Sequence, residues 1–190
     1  MKLLDQRQIY IGKANSDTAN CGFVGIAQFP DGTLLATWRV GSAKASWDGR
    51  MMAAESRDRG QSWSAPRELL PSRQPIKGLY SEVKYVALTV LGPGHLLVGT
   101  TWLDATDTTR PFVDPVTQEH VPSVAILSES RDGGRSWGEW QEMEPSPYVG
   151  LPLVCGPIAV MSDGRWGCFF EVDNGEKWHH AVVKFTSRRQ

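Results

Sequence analysis

Apolar residues along this chain gather in short runs separated by turn formers. Phe23-Val24-Gly25-Ile26-Ala27 is followed by the turn Pro30-Asp31-Gly32 and then by Thr33-Leu34-Leu35. The same order recurs as residues 86–91, Gly92-Pro93-Gly94 and His95-Leu96-Leu97. It recurs again as 157–161, Ser162-Asp163-Gly164 and Arg165-Trp166-Gly167. β-Formers on both sides of a Gly-containing turn predict three hairpins.

A second pattern lies downstream of the first two hairpins. Ser56-Arg57-Asp58-Arg59-Gly60-Gln61-Ser62-Trp63 returns as Ser130-Arg131-Asp132-Gly133-Gly134-Arg135-Ser136-Trp137, and both copies fit S-x-D-x-G-x-x-W. Each copy follows a strand-like run, 51–55 in one case and 124–129 in the other, so each is a further turn between strands. The residue types suit that place. Asp accepts hydrogen bonds from nearby amides, Gly permits unusual backbone angles, and Trp packs the turn onto the sheet.

The repeating unit is therefore strand, turn, strand, loop, strand, S-x-D-x-G-x-x-W turn, strand. Four antiparallel strands repeated along a chain predict an all-β fold of propeller blades. The expected blades are approximately 21–71, 82–145 and 155–190 within a single region 1–190. Residues 7–12 read as one extra strand able to close a ring. By the same spacing the third repeat turn falls at Ser187-Arg188, and residues 173–178 form the third unit's middle loop.

From about Cys21 onward the two repeat turns and their upstream hairpins resemble the Asp-box repeats of sialidases (neuraminidases) and related six-bladed, glycan-handling propellers. Ser56, Asp58, Gly60 and Trp63, with Ser130, Asp132, Gly134 and Trp137, carry the resemblance and have a structural role in it. Strand parity puts these turns on one face of the ring and the middle loops on the other. The face opposite the boxes holds residues 20–22, 39–48, 80–84, about 103–121, 155–156 and 171–179, and a site belongs there.

The resemblance implies an arginine triad for a substrate carboxylate, an aspartate acid/base and a tyrosine–glutamate nucleophile pair. The position where such proteins open the first strand with arginine is Gly22 here. Asp48 stands in the loop of the acid/base aspartate, although Asp48-Gly49 also reads as a plain turn. Glu171 holds the equivalent place in the third unit and is a candidate general base. Arg39, Glu82, Asp104 and Arg110 are candidate substrate contacts, and Trp47, Tyr80, Trp102 and Trp178 suit either sugar stacking or packing.

Composition narrows the partners. A net charge of −1 in 190 residues offers no field for polyanions, so no nucleic acid is expected. No long apolar run suggests a membrane span, and the polar start lacks a secretion signal, which favours the cytoplasm. Three scattered cysteines and four histidines give no metal-ligand spacing, and neither metal nor cofactor is expected. Three blades do not close a six-bladed ring, which leaves missing C-terminal blades, a truncated product or a homodimer as alternatives. The functional alternatives are an exo-glycosidase acting on terminal acidic sugars and a non-catalytic carbohydrate-binding or protein-interaction propeller. In either sugar reading the partner is a glycan or small sugar.

Overall fold

The computed structural model describes residues 6–71, 81–117, 119–143, 151–173 and 178–185. These residues form three four-stranded antiparallel sheets and no helix. The first sheet runs β1 (Asn20–Gln28), β2 (Leu34–Gly41), β3 (Arg50–Ser56) and β4 (Arg67–Glu68) in simple sequence order. The second repeats this with β5 (Ser81–Gly92), β6 (His95–Asp104), β7 (Ser123–Ser130) and β8 (Gln141–Glu142). The third contains β9 (Leu151–Val154), β10 (Ala159–Val160), β11 (Trp166–Asp173) and β12 (Trp178–Phe185). Because β12 pairs along all of β11, β9 and β10 must share the other edge, where they act as one interrupted first strand.

The hairpins close where Asp-Gly chemistry places them. Asp31 accepts the Thr33 amide at 2.9 Å while Gly32 adopts φ 86°, and Asp163 accepts the Arg165 amide at 3.1 Å while Gly164 adopts φ 80°. A positive φ of this kind is cheap only for glycine.

The second strand of each full sheet is buried along nearly its whole length, Thr37, Arg39, Thr100 and Thr101 included, so β2 and β6 do not alternate between apolar and polar residues. Alternate β6 residues serve two interfaces. Leu96, Val98 and Trp102 pack with Leu35, Met51, Leu69 and Leu70 of the first sheet, whereas Leu97 packs with Val154, Ile158 and Cys168 of the third. The sheets are thus stacked as neighbouring layers, with β1 against β5 and β5 against β9.

Polar ties cross the same interfaces. Arg67 donates to the carbonyls of Gly134 and Gly133 at 2.6 and 3.0 Å, and the Trp137 indole donates to Leu69 O at 2.8 Å. The Thr89 hydroxyl donates to Ile158 O at 2.7 Å.

Two segments lie outside the regular sheets. Residues 7–12 form no strand; Tyr10 instead stacks on Trp38 with ring centres 5.3 Å apart, and Arg7 donates to Gln61 O at 2.7 Å. The long excursion after β6 is a folded hairpin with a bridge between Val113 and His120 and a buried Phe112. Residues 174–177 connect β11 to β12, and both they and the expected third repeat turn lie outside the described residues.

Candidate functional site

The three first strands break their regular pairing at corresponding places. In β1 the register shifts between Gly22 and Gly25, leaving Phe23 and Val24 opposite a single partner residue. In β5 it shifts between Val83 and Val86, leaving Lys84 and Tyr85 opposite Thr101. In the third sheet the strand is interrupted between Val154 and Ala159. A bulge re-aims side chains that strict alternation would send to opposite faces.

Phe23, Lys84, Tyr85 and Cys155 from these irregularities meet Thr101, Leu153, Val154 and Glu171 around a cleft of about 340 Å³. Phe23 adopts φ 51°, a left-handed conformation that costs a non-glycine residue energy, and its ring meets Tyr85 edge-on at 6.4 Å.

The cleft has a charged side and an apolar side. Lys84 is half-buried; burial lowers its ammonium pKa first, the nearby charges of Lys44 and Arg39 lower it further, and Glu171 opposes the shift. Burial raises the Tyr85 phenol, aided by Cys155. Cys155 is an exposed residue, but partial desolvation in the cleft together with the Glu171 carboxylate pushes its thiol up to about 11 despite an opposing hydrogen bond, so the sulfur stays protonated at neutral pH. Phe23, Leu153 and Val154 supply apolar wall.

Arg39 and Glu82 lie just behind this site, buried to 1% exposure, and pair at 3.1 Å. Arg39 also donates to the carbonyls of Ala43, Lys44 and Ser46, so a single guanidinium clamps the loop between β2 and β3 and joins it to β5. This pair organises the loop and presents no charge to solvent. Gly49 closes over it: a Cβ there would fall 1.9 Å from an Arg39 nitrogen and 2.3 Å from a Glu82 oxygen.

Asp48 caps the same loop, accepting the Ser42 amide on both carboxylate oxygens at 3.1 Å. Burial acts to raise its pKa, but hydrogen bonds from Ser46 and Ser42 outweigh that and hold it below the usual carboxylate range. Of the candidate residues, Glu171 alone lines the cleft. Asp104 accepts the Thr106 amide at the end of β6. Arg110 is exposed on the excursion, where its carbonyl accepts the Trp47 indole at 2.7 Å. Trp47 meets Phe112 edge-on at 4.2 Å and Trp102 packs against Trp140 at 5.2 Å, so both rings serve packing. Tyr80 and the side chain of Trp178 lie outside the described residues.

The two S-x-D-x-G-x-x-W turns lie at the opposite ends of the strands and share one hydrogen-bond pattern. Ser56 donates to Asp58 at 2.8 Å and accepts the Gly60 amide at 2.8 Å, and Asp58 accepts the Ser62 amide at 2.8 Å and its hydroxyl at 2.6 Å. Ser130, Asp132, Gly134 and Ser136 repeat each contact. Gly60 and Gly134 adopt φ 85° and 79°.

No family model matches the chain, and no curated protein does. Solved structures do match. The Hadza microbial sialidase Hz136 superposes with a TM-score of 0.66 at 20% identity, over 89% of this chain and 36% of that one. The fold is the sialidase-like β-propeller. The NanB sialidase from Streptococcus pneumoniae matches at TM-score 0.56 and 9% identity, over 96% of this chain and 47% of its own. An ulvan lyase, a polysaccharide lyase, matches at TM-score 0.55 and 13% identity, over 90% and 43%. The chain thus spans roughly a third to a half of these neighbours. The cleft lies among the first strands β1, β5 and β9, away from the repeat turns at the other ends of the strands.

Sequence reasoning placed residues 80–84 and 155–156 on this face but singled out neither Lys84 nor Cys155, and it passed over Phe23, Tyr85 and Thr101. The available signal was a broken alternation: Cys21-Gly22-Phe23-Val24-Gly25 and Glu82-Val83-Lys84-Tyr85-Val86 occupy equivalent places before their hairpins.

Proposed function

We propose that this propeller is glycan-active and that the cleft among its first strands takes a terminal acidic sugar. The supporting observation is the convergence of Lys84, Glu171, Tyr85 and Phe23 from three blades on one cleft of sugar-binding size. Lys84 offers a cation to the sugar's acidic group, the aromatic and aliphatic wall covers its apolar face, and Glu171 is placed for proton transfer at the glycosidic oxygen. An exo-glycosidase is the reaction that this arrangement suits. Sialidases and a polysaccharide lyase with the same fold act on glycans, which supports the substrate class.

A second reading, carbohydrate binding without turnover, is favoured by Asp48, whose carboxylate oxygens already hold the Ser42 amide, and by Arg39, whose charge is taken up by Glu82. Fluorogenic sialosides and uronides separate the two. With turnover, Glu171→Gln lowers kcat by roughly 10²-fold or more while the melting temperature holds. Binding on a glycan array with no turnover establishes the second reading, and no binding to any acidic glycan overturns both.

A further inference from the structure

Lys84 has the setting of a reactive amine. An amine is nucleophilic only when it has lost its proton, and both a desolvating pocket and neighbouring cations favour that loss. The β5 bulge turns Lys84 into the cleft beside the apolar side chains of Phe23, Leu153 and Val154. Lys44 and Arg39 approach it from the first blade and Glu171 from the third, with Tyr85 and Cys155 as the other titratable groups of the cleft. The thiol does not compete, because it stays protonated.

We propose that Lys84 is a carbonyl-capturing amine, and that the cleft binds a small 2-oxo acid as an imine on its side-chain nitrogen. The Lys84 lone pair forms the C–N bond as the carbonyl π electrons move to oxygen, and a proton passes from nitrogen to that oxygen. Glu171, having taken up a proton from solvent, delivers it to the departing hydroxyl and takes one back from nitrogen, which returns to solvent, so that water leaves and a C=N bond remains. Nothing is oxidised or reduced. Lys44, near enough for its charge to act on Lys84, supplies a cation for the ligand's carboxylate, and the apolar wall limits the water that would reverse the reaction. This inference shares the cleft with the glycan reading but depends on neither sugar binding nor turnover.

The test treats the purified chain with glyoxylate and cyanoborohydride, which reduces an imine to a permanent adduct, and maps the adducts by peptide mass spectrometry. Half-burial alone would make Lys84 slower than the exposed Lys13. The proposal expects Lys84 to be modified several-fold faster than Lys13, and Glu171→Gln to remove that lead without changing the rate at Lys13. Modification of Lys84 at or below the Lys13 rate overturns it, as does a lead that survives Glu171→Gln. Lys84→Arg ends adduct formation at this position, which confirms that the adduct is on the Lys84 nitrogen. Failure of acidic-glycan binding in the unaltered chain would sink the glycan reading and leave the labelling result standing.

Discussion

Gly49 shows how one residue can govern a loop. It is the only residue type that fits over the Arg39–Glu82 pair, because any side chain there would overlap a guanidinium nitrogen and a carboxylate oxygen. Moving either group leaves the other charge buried without its partner, which costs about 3–5 kcal/mol. Gly49→Ala is therefore expected to lower stability by about 3 kcal/mol or more in urea unfolding and to release the loop that carries Lys44. A loss below about 1 kcal/mol would show that the pair tolerates displacement. In sequence, Asp48-Gly49 looks like any other Asp-Gly turn, and the reason for the glycine becomes visible only when Glu82 arrives from the next blade.

At the scale of the element, the repeat turns were legible in the sequence because their chemistry is local. Ser, Asp, Gly and Ser within seven residues contain every partner the turn needs, and both copies fold with the same bonds. Those bonds hold Asp58 down at about 2, and Asp132 is lowered still further by the equivalent serine contacts. An unfolded aspartate takes up its proton near pH 4, before either native one does. The turns' contribution is therefore complete above about pH 4 and is lost as the pH falls through about 2. Asp132→Asn is expected to flatten the decline in melting temperature between these pH values; an unchanged acid profile would exclude the turn as its source. The bulges were much less legible. The adjacent apolar Tyr85 and Val86 only hint at a break in alternation, and the shared direction of Lys84 and Tyr85 arises from a two-against-one pairing with β6, sixteen or more residues away. Residues 7–12, read as a strand without a blade, are held within this chain by side chains, with Tyr10 on Trp38.

At the scale of the molecule, stacking the sheets buries β6 on both sides but leaves outer apolar positions open. Val24 and Ile26 on β1 are 77% and 67% exposed, and Phe169 on β11 is 54% exposed. Each buried blade interface rests on such residues, so the open ones favour association. Light scattering on the chain alone is expected to give a mass above the monomer, and Val24→Lys with Ile26→Lys is expected to return it toward the monomer; a monodisperse monomer before substitution would contradict this. The fold class followed from repeats spread over the whole chain, whereas the cleft draws on residues as distant as Phe23 and Glu171, which no local pattern connects. The most direct test of the central claim is an NMR titration of the isotope-labelled chain with a monovalent acidic sugar up to the order of 10 mM, a range that detects weak single-sugar binding. The account predicts saturable amide shifts at Phe23, Lys84, Tyr85, Cys155 and Glu171, with Gly60 and Gly134 unmoved. Shifts confined to the repeat-turn face, or none at all, would contradict a sugar site in the cleft.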